Sequence, residues 1–200
     1  MTMFRCCVFP ITASKLYCSV FNDEVEETGG YIRNTNILGL MPVNKDAKRI
    51  IFDGSKSWKI TIRFKYLSSA GQTQCIVGNN SANDAYYLTP SMEISQGGSS
   101  IIGRASSNGS SWTTNLTVST SFSAGNIYKT VFEWDGTILT LRLYDDSDTL
   151  IDSSSATAGA SNFSGLLAFG AVGQKSYLIS NVIGFDFANC ELKNNNSVLW

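Results

Sequence analysis

The segment that most restricts the fold is Trp58–Tyr66, which reads WKITIRFKY. Large apolar side chains occupy its even positions, and Lys, Thr, Arg and Lys occupy the positions between them. Successive side chains of a β-strand point to opposite faces, so this alternation predicts a strand with one buried and one solvated face. No helical spacing fits the same pattern. The chain is therefore expected to contain a sheet that covers a core.

A second pair of alternating runs, residues 128–134 and 137–144, flanks Asp135-Gly136. An Asp-Gly pair between two such runs is the strongest short hairpin signal, because both residues tolerate positive φ. Residues 145–148 then predict another turn, and residues 149–151 a short return strand. The two alternating regions also predict four core aromatic residues: Trp58, Phe64, Phe132 and Trp134.

Weaker strand candidates occur along the rest of the chain, separated by Ser/Gly/Asn-rich turns. Many short strands at such spacing predict an all-β antiparallel sandwich or jelly roll, and 200 residues fit one domain. Residues 1–48 are expected either to add the first strands or to form an arm that reaches a neighbouring subunit, while residues 49–200 form the sandwich. The weaker candidates are residues 5–9, 16–21, 74–77, 85–88, 91–95, 101–104, 111–118, 166–171, 177–179 and 183–187.

The charge balance argues against several partners. Lys and Arg total 15 against 16 Asp and Glu, so the basic excess typical of nucleic-acid binding is missing. No run of about 18 apolar residues predicts a membrane span. The first residues lack the pattern of a signal peptide, so the protein is expected to stay in the cell that makes it.

The chain has no histidine, which excludes His-based triads and His-containing zinc sites. Its five cysteines form no C-x-x-C pair, so they are predicted to be free and mostly buried thiols. No cofactor is expected. The cysteines are Cys6, Cys7, Cys18, Cys75 and Cys190.

Three passages together resemble the concanavalin-A-like lectin/glucanase (laminin-G-like) superfamily. They are the Phe-Asp-Gly turn at 52–54 before the first alternating strand, the hairpin through Trp134-Asp135-Gly136, and a late strand at 180–185. The resemblance implies a jelly roll of two curved antiparallel sheets. Residues 189–193 and the final Val-Leu-Trp are also similar to closing segments in proteins of tailed phages, which implies a virion protein.

Acidic residues give little support for catalysis or metal binding. Enzymes of the resembled superfamily carry Glu-x-Asp-x-x-Glu on one strand, and the sequence contains no such string. The chain is therefore predicted not to be an enzyme. Asp145, Asp146 and Asp148 could offer oxygens to calcium, but a solvated turn is the preferred interpretation and no metal site is predicted.

Carbohydrate recognition has four candidate residues: Trp112 and Asn115 after a Ser-rich loop, and Tyr86 and Tyr87 after an Asn-rich one. The alternative is that Trp112 and one tyrosine close the edge of the core. The predicted function is a non-enzymatic structural or adhesive virion protein, such as a head decoration, fibre or tail component. It would be a homo-oligomer that contacts other virion subunits and surface glycans, after assembly in the host cytoplasm. A cellular carbohydrate-binding module is the alternative, and a glycoside hydrolase is a more distant one.

Overall fold

A computed structural model describes residues 7–12, 15–19, 25–28, 31–34, 40–43, 50–67, 71, 73–79, 90–161, 164–165, 167–170 and 183–200. The described part of the chain contains no helical stretch with the length and hydropathy of a membrane span. A short 3-10 helix covers Phe187–Asn189. The strands are β1 (Cys7–Thr12), β2 (Lys15–Ser19), β3 (Val25–Thr28), β4 (Tyr31–Asn34), β5 (Leu40–Val43), β6 (Phe52–Asp53), β7 (Trp58–Tyr66), β8 (Gln74–Asn79), β9 (Ser91–Ile94), β10 (Ser100–Ala105), β11 (Thr114–Ser119), β12 (Ile127–Trp134), β13 (Ile138–Asp145), β14 (Leu150–Thr157), β15 (Ser164–Gly165), β16 (Leu167–Phe169), β17 (Ile183–Phe185), β18 (Glu191–Asn194) and β19 (Ser197–Val198).

The strands form two large antiparallel sheets. Sheet A has the order β1-β2-β5-β16-β8-β9-β10-β11. Sheet B has the order β14-β13-β12-β7-β17-β4-β3, with β18 also paired to β7 and β19 paired to β18. A small third sheet joins β15 to β6. The predicted all-β antiparallel sandwich is confirmed.

Strand β7 has the bounds that the alternation predicts, and its burial alternates along its whole length. Its partner β12 runs antiparallel in a register that places Trp58 opposite Trp134. All four predicted core aromatic residues are buried. Trp58 and Phe132 meet edge to face, with ring centroids 5.0 Å apart.

The predicted hairpin is confirmed as β12–β13, but Asp135 shapes it differently from the expectation. Gly136 has φ +114°, whereas Asp135 is not among the described residues with positive φ. Instead its carboxylate oxygen Oδ1 accepts hydrogen bonds from the amides of Thr137 and Ile138, both at 2.8 Å. The aspartate therefore holds the turn through its side chain, as in an Asx-turn.

The next turn uses the same device. Asp145 Oδ1 accepts hydrogen bonds from the amides of Ser147 and Thr149, both at 2.9 Å. The return strand β14 then continues to Thr157, so the expectation of a short strand is wrong. The residues after Ile151 are mostly Ser and other small residues, so the sequence gives no apolar alternation that would predict a longer strand. Pairing with β13 defines its length instead.

The sandwich closes tightly in two places. An added Cβ at Gly103 of β10 would lie 3.0 Å from Phe132 Cε2, so the two sheets approach closely there. At one side, the edge strands β11 and β14 are joined by a 2.8 Å hydrogen bond from the Ser119 amide to Asp152 Oδ2. This bond satisfies an edge amide that neither sheet pairs.

The weaker strand predictions have mixed outcomes. Strands β1, β2, β8, β9, β10, β11, β16 and β17 lie at predicted positions with shifted ends. The candidates at 85–88 and 177–179 lie outside the described residues. Strands β1, β2 and β5 pair into sheet A and β3 and β4 into sheet B. The division of the chain after residue 48 stays a prediction.

Candidate functional site

The outer surface of sheet A carries a group of mostly uncharged polar side chains on β9, β10 and β11. Their sequence neighbours Met92, Ile101, Leu116 and Val118 pack in the core. Because strand side chains alternate between faces, the intervening side chains face outward. We call this surface the sheet A face; it consists of Ser91, Glu93, Ser100, Ile102, Arg104, Asn115, Thr117 and Ser119.

Strand register arranges these side chains in rows. Asn115 of β11 lies opposite Arg104 of β10, which in turn lies opposite Ser91 of β9. One row therefore brings together an amide, a guanidinium group and a hydroxyl. Such directly opposed side chains have Cβ atoms about 5 Å apart. Asn115 is exposed and Arg104 is partly exposed, so one small ligand can contact both.

An ion pair fixes the centre of this face. Arg104 Nη1 lies 2.5 Å from Glu93 Oε2, and the Glu93 side chain is only 2% exposed while Arg104 is 22% exposed. A buried carboxylate is costly unless it is paired and hydrogen-bonded. Glu93 therefore holds the guanidinium group in a defined position at the surface, beside the exposed Asn115.

Ser91 and Cys75 lie next to this pair and are fully buried. Among the described residues the Ser91 hydroxyl has no hydrogen-bond partner, which is unfavourable for a buried polar group. Cys75 lies opposite Glu93, and its burial, together with the Glu93 charge, raises the pKa of the thiol well above its ordinary value. The thiol is therefore protonated and unreactive.

The loop that precedes β11 places Trp112 near Asn115. Asn108 Oδ1 accepts hydrogen bonds from the amides of Ser110 and Ser111, each at 3.0 Å. The Thr113 amide donates to the Ala105 carbonyl at 3.1 Å, which closes the loop. Trp112 is half-buried, so its ring is partly accessible to solvent.

Two of the four predicted carbohydrate-binding residues thus lie close together in the chain at one end of the sheet A face. Asn115 is exposed on that face, and Trp112 lies in the adjoining loop. Tyr86 and Tyr87 lie outside the described residues. The assignment of all four to a carbohydrate site stays a prediction.

Sequence reasoning missed Glu93 and Arg104. A signal was present, because Asp84, Glu93 and Arg104 are the only charged residues between positions 74 and 128. An isolated acid and an isolated base in neighbouring strand candidates often pair. Only the side-chain contact in the folded structure shows that these two do.

The sheet A face has little capacity for acid–base catalysis by paired carboxylates. Glu93 is the single acidic residue in the described strands of sheet A. Hydrolysis of glycosides commonly requires two carboxyl groups at a fixed separation. These strands provide one, and it is engaged by Arg104.

The outer surface of sheet B differs, because its charges pair with each other. Lys129 Nζ lies 2.6 Å from Asp148, and Arg63 binds both Asp146 and Asp186. With Asp145 holding its turn, each carboxylate of the 145–148 turn has a described partner. Among the described residues, no group of three or more His, Cys, Asp and Glu side chains could hold a metal ion.

Comparison with known proteins supports the fold. No protein-family model matches the sequence, and no curated protein matches it. The structure is similar to the tailspike protein 2 enzymatically active domain of bacteriophage CBA120, with 11% identity, a TM-score of 0.53, and coverage of 98% of this chain and 30% of that chain. It is also similar to the exoplasmic/lumenal domain of VIP36 in its metal-free form, with 13% identity, a TM-score of 0.51, and coverage of 87% and 89%. The chain therefore has the predicted fold, a concanavalin-A-like jelly-roll sandwich.

Proposed function

We propose that this protein binds glycans through the sheet A face without catalysis, as a structural and adhesive component of a virion. The observation that carries the proposal is the buried Glu93–Arg104 pair, which presents a fixed guanidinium group beside the exposed Asn115. The ligand class and the virion assignment are separate parts of the proposal and have separate tests.

The chemistry of the face suits a ligand rich in hydroxyl groups. An asparagine amide both donates and accepts hydrogen bonds, and Arg104 adds donors in a fixed plane. Thr117 and Ser119 add exposed hydroxyl groups along β11. Trp112 would supply the apolar surface that covers one side of a sugar ring.

The absence of catalysis is proposed from the residues present. The sequence lacks the acidic motif of the resembled glycanases, and the sheet A face contributes one carboxylate that is already paired. The tailspike domain is described as enzymatically active, but its likeness to this chain at 11% identity concerns the fold.

The virion role draws on two likenesses. A bacteriophage tailspike contains a region of the same fold. Residues 189–193 and 198–200 are similar to closing segments of tailed-phage proteins. As a virion protein the chain would form a homo-oligomer, contact other virion subunits, and assemble in the host cytoplasm. A cellular carbohydrate-binding module is the alternative that keeps the same site.

A glycan array followed by calorimetry with any bound glycan tests the site. Asn115→Ala and Trp112→Ala are expected to weaken binding about tenfold each, which is the loss of about 1.4 kcal/mol. Asn126→Ala is the matched control, because Asn126 is an exposed asparagine beside sheet B. Trp112→Phe should retain most of the affinity if a ring is what the ligand contacts.

Two outcomes would count against the site: no glycan is bound, or the Asn115 and Trp112 variants bind as tightly as the unchanged protein. Mass spectrometry of purified virions tests the other part of the proposal. Recovery of the chain as a stoichiometric component supports the virion role. Its absence there, with glycan binding intact, would favour the cellular module.

A further inference from the structure

A cleft of about 480 Å³ lies at one end of sheet B, away from the sheet A face. It is formed where the β12–β13 turn and the β18–β19 turn flank the start of β7. Its polar lining consists of Ser57, Lys59, Glu133, Asp135, Lys193 and Asn196. A space of this volume is within the usual range for small-ligand sites.

The register of three strands places two lysines side by side in this cleft. Lys59 of β7 lies directly opposite Lys193 of β18 and, on its other side, opposite Glu133 of β12. Like charges directly opposite each other in a sheet are destabilising. This arrangement therefore has an energetic cost that an anion between the two ammonium groups would remove.

The carboxylates near the two lysines leave some of the lysine N–H donors without an acceptor among the described residues. Glu133 binds Arg142 through Oε1, and its other oxygen lies 3.7 Å from Lys59 Nζ, too far for a hydrogen bond. Asp135 Oδ1 accepts two amide hydrogen bonds in its own turn. Among the described residues, Lys59 thus has an ion pair but no hydrogen-bond acceptor.

Lys193 has donors to spare. Its ammonium group lies 2.8 Å from Glu191 Oε1, which uses one of its three N–H donors. The Lys59 side chain is 41% exposed and the Lys193 side chain 32%, so both can be reached from solvent. The remaining polar groups, Ser57 and Asn196, are uncharged and suit hydroxyl groups.

We infer that this cleft binds the acidic group of a charged saccharide, a carboxylate or a sulfate, between Lys59 and Lys193. The two ammonium groups donate charge-assisted hydrogen bonds to the oxyanion, and Ser57 and Asn196 contact the sugar hydroxyls. This site is separate from the sheet A face, because its residues belong to strands and turns of sheet B.

Titration calorimetry and chemical-shift mapping with glucuronic acid, glucose 6-sulfate and glucose test the inference. At least one acidic sugar should bind saturably, with shifts at Lys59 and Lys193, and glucose should not. The acidic sugar that binds identifies the group as carboxylate or sulfate. Lys59→Gln and Lys193→Gln should each weaken binding about tenfold, because each removes a charge-assisted hydrogen bond.

The matched control is Lys129→Gln, on the same surface but bonded to Asp148 at 2.6 Å; it should leave the affinity within about twofold, as expected of a distant charge with its own ion partner. Asn115→Ala should have no effect, which separates this cleft from the sheet A face. Three results would overturn the inference: neither acidic sugar binds, glucose binds equally well, or the Lys59 and Lys193 variants bind unchanged.

Discussion

The outer surfaces of the two sheets use charge in opposite ways. On sheet B, strand lysines and arginines alternate with core residues, and most pair with glutamates on the same or a neighbouring strand or with aspartates in the adjoining turns. On the sheet A face, one arginine and one glutamate lie among Ser, Thr and Asn. Several solvent-accessible ion pairs on sheet B favour the solubility of the protein. The one buried ion pair of the sheet A face holds a single guanidinium group in position.

The same chemical pair therefore has different consequences on the two sheets. Arg142 binds Glu133 on sheet B with side chains 34% and 26% exposed, so water screens both partners. Arg104 binds Glu93 with the carboxylate almost completely buried. The burial of one partner, and not the identity of the residues, decides how much the pair contributes.

The largest expected effect comes from removing the arginine of each pair. Arg104→Ala removes the ion-pair partner Arg104 from the buried Glu93 carboxylate and is expected to lower the free energy of unfolding by about 3–5 kcal/mol. Arg142→Ala should cost about 1 kcal/mol or less, because Glu133 stays solvated. Urea denaturation of the two variants measures both values.

A double variant provides the control. Arg104→Met with Glu93→Leu removes both charges and should recover most of the lost stability, since an apolar pair can replace a buried ion pair. Equal losses in Arg104→Ala and Arg142→Ala would show that the contrast between the faces has no energetic basis.

The next largest effect on stability is expected from replacing two glycines, Gly103 in a strand of sheet A and Gly136 in the β12–β13 turn of sheet B. Gly103→Ala in β10 places a Cβ 3.0 Å from Phe132 Cε2 and 3.2 Å from Leu141 Cδ2, so overpacking is expected to cost about 1–3 kcal/mol. Gly136→Ala meets no atom within 4 Å but must adopt φ +114°, and its cost comes from backbone strain. The additional variant Phe132→Leu should relieve Gly103→Ala and leave Gly136→Ala unchanged. Thermal unfolding of Gly103→Ala and Gly136→Ala, each with and without Phe132→Leu, compares the four variants.

A smaller effect is expected from two buried hydroxyl groups. Ser91→Ala removes a hydroxyl that has no partner among the described residues and should leave the stability unchanged or raise it by up to about 1 kcal/mol. Thr130→Val removes a hydroxyl that donates to the Arg142 carbonyl at 3.2 Å and should cost about 1 kcal/mol. If Ser91→Ala destabilises as much as Thr130→Val, the hydroxyl has an unrecognised partner such as a bound water.

The smallest effect is the acid response of the sheet B turns. Hydrogen bonds from the amides of Ile138 and Thr137 lower the pKa of Asp135, and the hydrogen bond with Lys129 lowers the pKa of Asp148. A lowered native-state pKa stabilises the protein above about pH 4, and this contribution is lost as the pH falls through the lowered value. Asp135→Asn and Asp148→Asn keep the turn geometry. Each variant should lose less free energy of unfolding than the unchanged protein when the pH falls from about 4 to about 2.

Denaturation midpoints measured across that pH range test this effect. An unchanged slope in both Asp135→Asn and Asp148→Asn would contradict the assignment.

The sequence predicted the elements whose signal is local. The alternation of Trp58–Tyr66 and the runs around Asp135-Gly136 give strands that the structure confirms, with their aromatic residues in the core. Strand β14 was underestimated because its Ser-rich sequence has no apolar alternation, and its pairing with β13 extends it. The sequence indicates Asn115 only as an amide that can bind sugar hydroxyls near Trp112, and its neighbours across the sheet follow from the fold.

By itself, the sequence determined that this chain forms an antiparallel sandwich, because the period of side-chain alternation is a property of the backbone. Only the tertiary structure decided that Arg104 lies between Asn115 and Glu93, and that Lys59 lies opposite Lys193. Strand order and register join residues that are distant in the chain, and the energies that select them come from the packing of both sheets at once. The alternating strand Trp58–Tyr66 thus fixed the class of fold, while the partners of its lysines depended on β12 and β18.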